Sequence, residues 1–162
     1  MQLGSTYSFL REQNIIVLIS CRLMWGMTQL LFLPYFALFA LAQPGGTLET
    51  LGIIASVKAI GFFVIAPIAG QLADSRGRVK IIAVGTSLHA LSYLFYIVAT
   101  DINMVILGSL VEGFSVIHMP ALQAITQESL RRSTRELGLS TTSGLQSLPS
   151  LVAPLAGGIL VE

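Results

Sequence analysis

Gly70-Gln71-Leu72-Ala73-Asp74-Ser75-Arg76-Gly77-Arg78-Val79-Lys80 is a short polar, basic turn set between two long apolar runs. The chain has 162 residues, 54% apolar and only 10% charged, with a mean hydropathy of +0.80. Soluble domains carry roughly a quarter charged residues. A core of this size cannot bury so much apolar surface, so the composition points to lipid as the solvent.

Working outward from that turn, five apolar segments follow one another. They run from about Asn14 to Leu41, Leu51 to Ala73, Ile81 to Thr100, Met104 to Ile125 and Leu139 to Val161. Each is long enough, at about 1.5 Å per residue, to cross ~30 Å of hydrocarbon as a helix. Barrel strands are about half as long and alternate in polarity, and these segments do not. The expected fold is therefore an all-α integral membrane bundle with five transmembrane helices. Gln43-Pro44-Gly45-Gly46 and Thr100-Asp101-Ile102-Asn103 supply tight turns, and Gln127 to Gly138 a longer polar connection.

Charge gives the segments a direction. Of the nine Lys and Arg residues, Arg11, Arg76, Arg78, Lys80, Arg131, Arg132 and Arg135 fall in the N-terminal tail and in the second and fourth loops. The first and third loops carry only Glu49 and Asp101. The positive-inside rule then predicts a plasma-membrane protein with residues 1–13 as a cytoplasmic tail and the Gly70–Lys80 turn on the same side. The tail precedes a run too long for a signal-peptide core. Five crossings leave Glu162 outside with no polar tail after it, which predicts an interrupted protein. The net charge of +1 is a sum over segregated groups and gives no sign of nucleic acid as a partner. Cys21, the single cysteine, excludes an internal disulfide and a cysteine-based metal cluster.

The turn resembles the signature of the major facilitator superfamily of secondary transporters, Gly-x-Leu-Ala-Asp-Arg-x-Gly-Arg between helices two and three. Gly70, Leu72, Ala73, Asp74, Gly77 and Arg78 match in register, whereas Ser75 and Val79 stand where basic residues are usual. The resemblance implies a cytoplasmic gate motif in which Asp74 helps latch a second six-helix half. It also implies that residues 14–162 are an incomplete N-terminal half and that the C-terminal half is missing. Gly77 suits a reversal with positive φ, Gly70 a close helix approach, and Asp74 a helix N-terminus. A solvated turn with topogenic charges is the plainer alternative. In the last segment Ala153-Pro154-Leu155-Ala156-Gly157-Gly158 is similar to the family's antiporter motif Gly-Pro-x-x-Gly-Gly, with Ala153 replacing the first glycine. It implies a surface on which the two halves slide; ordinary small-residue packing is the alternative. In the fourth segment the family's Arg-x-x-Gln-Gly is replaced by Ser109-Leu110-Val111-Glu112-Gly113. A weaker echo of this stretch, Arg22-Leu23-Met24-Trp25-Gly26, lies in the first segment, as an inverted repeat would place it.

Three charges fall inside apolar segments: Arg22, Lys58 and Glu112. Each costs ~3 kcal/mol at a helix centre and needs a partner or a watery cavity. Lys58 and Glu112 each lie about eight residues from the outer ends of their helices, so they share a depth. They are expected to pair, or Glu112 to bind protons with Lys58 adjusting its proton affinity; Lys58 reaching the headgroups is the alternative. Arg22 and His118, also similar in depth, are candidates for substrate or proton contact, and His89 is read as structural. No Gly-x-Ser-x-Gly, His-Glu-x-x-His or P-loop pattern is present, so no enzyme, cofactor or metal is expected. The sequence thus points to proton-coupled efflux of a small-molecule substrate, with protons as coupling ion and the lipid bilayer as surroundings. A proton-coupled uptake symporter and a non-transporting fragment are the alternatives.

Overall fold

The computed structural model describes residues 13–129 and 135–161. Arg11, Arg131 and Arg132, three of the charges used for orientation, lie outside the described residues, as does most of the tail. The described chain is helical throughout: α1 (Gln13–Ala42), α2 (Leu48–Arg76), α3 (Arg78–Ile97), α4 (Ile102–Ser115), α5 (His118–Ser129), α6 (Arg135–Ser147) and α7 (Ala153–Val161), with a 3-10 turn at Leu148–Leu151 before α7.

Helix ends follow local chemistry. Thr47 caps α2 through a reciprocal capping box with Thr50. Asp101 caps α4, its carboxylate accepting from the backbone N–H groups of Asn103 at 2.8 Å and Met104 at 3.1 Å. The expected turn at Gln43–Gly46 forms, with Gly45 at φ 83°. Gly77 separates α2 from α3 at φ 92°, a conformation that a side chain would strain.

Prolines account for the departures from the expected segments. The fourth segment is not one regular helix. Pro120 removes a backbone donor, and the chain tightens at Val116–Ile117 through three-residue bonds, Ile117 N–H to Phe114 O and Met119 N–H to Val116 O. Residues 102–129 still form a continuous span of 28 residues. The fifth segment is broken more severely: Pro149 lies in the 3-10 turn and Pro154 in the first turn of α7. The described residues therefore contain four helices long and apolar enough to cross a membrane, Ile19–Ala42, Leu48–Arg76, Arg78–Ile97 and Ile102–Ser129, where five are expected from the sequence.

The chain divides into two compact units, residues 1–36 with 125–162, and residues 37–124. In the second, α4 packs along both α2 and α3. Its apolar core joins Ala69, Ala73, Ile81, Ile117 and Ala121, with Ile65, Leu72 and Ile82 at the edge. The outer faces carry Phe62, Phe63, Ile68, Leu94 and Ile97 in the open. Such a surface is stable in hydrocarbon and not in water, and the protein is a multi-pass membrane protein.

Glycines set how close the helices come. A Cβ on Gly113 of α4 would stand 2.6 Å from the Lys58 carbonyl of α2, and one on Gly61 would stand 3.0 Å from Gly113. One on Gly85 of α3 would stand 2.6 Å from His118 Cβ and 2.8 Å from the Ser115 carbonyl. These are backbone contacts in which little can yield. Gly113→Ala and Gly85→Ala are expected to destabilise by about 1–3 kcal/mol each through overpacking. Gly52→Ala, where a Cβ meets nothing within 4 Å among the described residues, is expected to be neutral to mildly stabilising. Thermal unfolding in detergent micelles checks the contrast.

Candidate functional site

Lys58 on α2 and Glu112 on α4 meet as an ion pair, with Lys58 Nζ 2.8 Å from Glu112 Oε2. Their shared depth, inferred by counting residues, is the depth at which the Gly61–Gly113 contact draws the two helices together. Lys58 thus turns to the carboxylate rather than to the headgroups. Their side chains are 26% and 18% exposed, so the pair is shielded but reachable. A groove of about 280 Å³ opens beside it, lined by Lys58, Ala59, Phe62, Glu112, Gly113 and Val116.

A second group joins the pair. Tyr96 of α3 donates its hydroxyl to the same Glu112 oxygen at 2.5 Å and lies 3.1 Å from Ser109 Oγ. The sequence gives no reason to separate Tyr96 from the other tyrosines, because its partner is on another helix. Around the next turn of α4, the Ser115 hydroxyl donates to the Glu112 carbonyl at 2.6 Å. His89 Nδ1 lies 3.2 Å from Ser115 Oγ, and His118 Nδ1 2.6 Å from the Ser115 carbonyl. Both histidines are buried, and His89, read from the sequence as structural, borders the polar cluster.

In the other unit, Arg22 on α1 donates from Nη2 to Thr126 Oγ1 at 3.3 Å. Trp25, Gly26, Gln29, Leu30, Ser143, Ser147 and Ser150 line a cavity of about 390 Å³ there. The stretch likened to the antiporter motif packs on α1 of the same chain. Tyr35 donates to the Pro154 carbonyl at 2.6 Å, and a Cβ on Gly157 or Gly158 would come within 2.7 or 2.8 Å of Leu31 O and Tyr35 Oη respectively. Ala153 is buried.

The basic turn differs from expectation in two places. A Cβ on Gly70 would meet nothing within 4 Å among the described residues, so the close approach expected there is made instead at Gly61 and Gly113. Asp74 lies within the last turns of α2 rather than at an N-cap. The N-cap of α3 is Gly77, with no side-chain cap bond. Asp74 is 74% exposed and pairs with Arg78 at 3.7 Å, an arrangement that contributes little to stability. Leu72 and Ala73 pack into the core.

Among known proteins, the profile of the Major Facilitator Superfamily matches residues 16–162. The chain belongs to the Major Facilitator Superfamily. It is similar to "Multidrug resistance protein 2" of Bacillus subtilis (strain 168), with 27% identity over 113 residues. That match covers 69% of this chain and 28% of the relative, so the chain spans only part of the length of the curated relative. No solved structure matches.

The Lys58–Glu112 pair is a load on the fold, since each charge alone is costly in hydrocarbon. Removing one partner takes the ion pair from the other. Lys58→Met and Glu112→Leu are each expected to destabilise more than the double variant does, with a coupling of about 1–3 kcal/mol in a double-mutant cycle. Thermal unfolding in micelles provides the cycle. Additive losses would show that the two side chains do not stabilise each other.

Proposed function

We propose that the protein is a secondary active transporter that exports a small organic solute in exchange for protons. Transport proceeds by alternating access, with Glu112 as the proton-binding carboxylate and Lys58 as its counter-charge. The observation that carries this reading is the Lys58–Glu112 contact at 2.8 Å, bordered by a groove, within helices of membrane-spanning length.

The chemistry of exchange follows from charge. With Glu112 ionised, the two side chains neutralise each other. A proton on Glu112 removes the negative charge from its 2.8 Å contact with the Lys58 ammonium, in a medium where charge is expensive. Protonation therefore weakens the contact and favours water entry, movement of α2 against α4, or loss of a cationic solute from the site. Any of these links proton binding to a change in what the site holds. Arg22, half-buried beside Thr126, is the proposed contact for an anionic group of the solute, and His118 an accessory to the protonation site. Export rather than uptake is favoured by the name of the Bacillus relative and by the likeness of Ala153–Gly158 to the antiporter motif. The charge distribution supports a cytoplasmic N-terminus and a cytoplasmic Gly70–Lys80 turn. On that side Asp74, at the surface, is placed to meet a second six-helix half.

The test uses proteoliposomes holding the complete translation product, with a pH-sensitive dye trapped inside. A panel of small organic solutes is added with and without an imposed pH gradient. A transported solute is expected to move protons in the opposite direction, and Glu112→Gln to abolish that movement at least tenfold. Transport indifferent both to the gradient and to Glu112→Gln would overturn the proton-coupled reading.

A further inference from the structure

We infer that Tyr96 is the positioning residue of the protonation site, and that its hydroxyl carries the charge state of Glu112 to Ser109 by reversing a two-bond hydrogen-bond chain. The inference rests on the reading of Glu112 as the carboxylate that takes up the proton.

The geometry leaves Tyr96 one proton for two neighbours, Glu112 Oε2 at 2.5 Å and Ser109 Oγ at 3.1 Å. With Glu112 ionised, the carboxylate only accepts, so Tyr96 donates to it and Ser109 donates to the Tyr96 oxygen. The reversal requires the proton to settle on Oε2 as the Lys58 ammonium loses its hold there, and from Oε2 it points at the Tyr96 oxygen. Two protons cannot occupy one contact, so the Tyr96 proton turns to Ser109 Oγ. The Ser109 proton in turn moves to a carbonyl of its own helix, the usual acceptor for a helical serine. One proton enters, none leaves, and no covalent bond of tyrosine or serine is broken.

The ring itself is held. Tyr96 is 4% exposed, lies edge-on to Phe39 at 6.3 Å and to Tyr93 at 5.9 Å, and rests over Gly108, where a Cβ would come 2.8 Å from its Cε1. A clamped ring with a hydroxyl free to rotate changes its bonding direction without changing its place. The other titratable groups around Glu112 are engaged differently. Lys58 from α2 shares Oε2 with Tyr96, Tyr93 of α3 stacks edge-on between His89 and Tyr96, and His89 and His118 address Ser115. Tyr96 joins the carboxylate to the Ser109 hydroxyl.

Infrared pH-difference spectra of the whole protein in lipid bilayers test this. A protonated-carboxyl C=O band that is present in the native protein and absent from Glu112→Gln reports Glu112. Its absence from the native protein would overturn the protonation reading itself, and this inference with it. With the band present, Tyr96→Phe is expected to move it to higher wavenumber through loss of the acceptor. Ser109→Ala is expected to move it the same way by less, and Tyr93→Phe to leave it in place. Should Tyr96→Phe fail to fold, Ser109→Ala still reads the chain. A Glu112 band unmoved by whichever of these two variants folds would overturn the role of Tyr96 while leaving the protonation reading intact.

Discussion

An ammonium and a carboxylate at one depth in a membrane cost least when they touch. Lys58 and Glu112 meet this condition because two glycines let their helices touch first. Gly61 and Gly113 bring the backbones of α2 and α4 into contact, which places the two charged side chains within 2.8 Å. Wider spacing would leave each charge to seek water separately, at ~3 kcal/mol apiece on insertion scales. The glycines are thus as much a part of the site as the charges. A site built at a backbone seam is also sensitive to helix movement, since a small slide of α2 along α4 changes the ion-pair distance directly.

α4 organises the remainder of this unit. Gly108, Ser109, Glu112, Gly113 and Ser115 crowd a span of two turns, combining small residues that admit neighbouring helices with polar residues that bond to them. α3 answers on its own face with Tyr96, Tyr93 and His89, and with Gly85 where His118 approaches. Glu112 is met by Lys58 and Tyr96, and His89 Nδ1 by Ser115, each from a neighbouring helix. This distribution concentrates bonding capacity at one depth and leaves the outer faces of α2 and α3 apolar.

The sequence revealed these features unevenly, for physical reasons. Charges are rare in apolar helices, so Lys58 and Glu112 stood out, and counting from helix ends was enough to align them. Tyr96 did not stand out, because tyrosine is also at home at membrane interfaces and its partner is 16 residues away on another helix. Fifteen glycines in one chain gave no sign of which were packed; Gly70, singled out by its motif, meets nothing within 4 Å among the described residues, whereas Gly61 and Gly113 carry the contact. The positive φ of Gly77 was readable because a reversal between two helices needs it. Asp74 was misplaced since the motif alone does not tell whether α2 stops before or after it, and the helix runs on to Arg76.

The fifth segment shows where hydropathy misleads. Its apolar content suggested an unbroken span, but Pro149 and Pro154 lie five residues apart and each removes a backbone donor. Between them the chain tightens to a 3-10 turn, in which Val152 bonds to the Pro149 carbonyl at 3.1 Å. A break of this kind survives in lipid only where the protein covers it. α1 contacts the chain just after the break: Tyr35 fixes the start of α7 through the Pro154 carbonyl, and Gly157 and Gly158 make room for its ring. The two units therefore reach the same end by different chemistry. In one, glycines bring opposite charges together; in the other, glycines seat a tyrosine against a broken helix. In both, a close glycine contact seats a polar feature against a neighbouring helix.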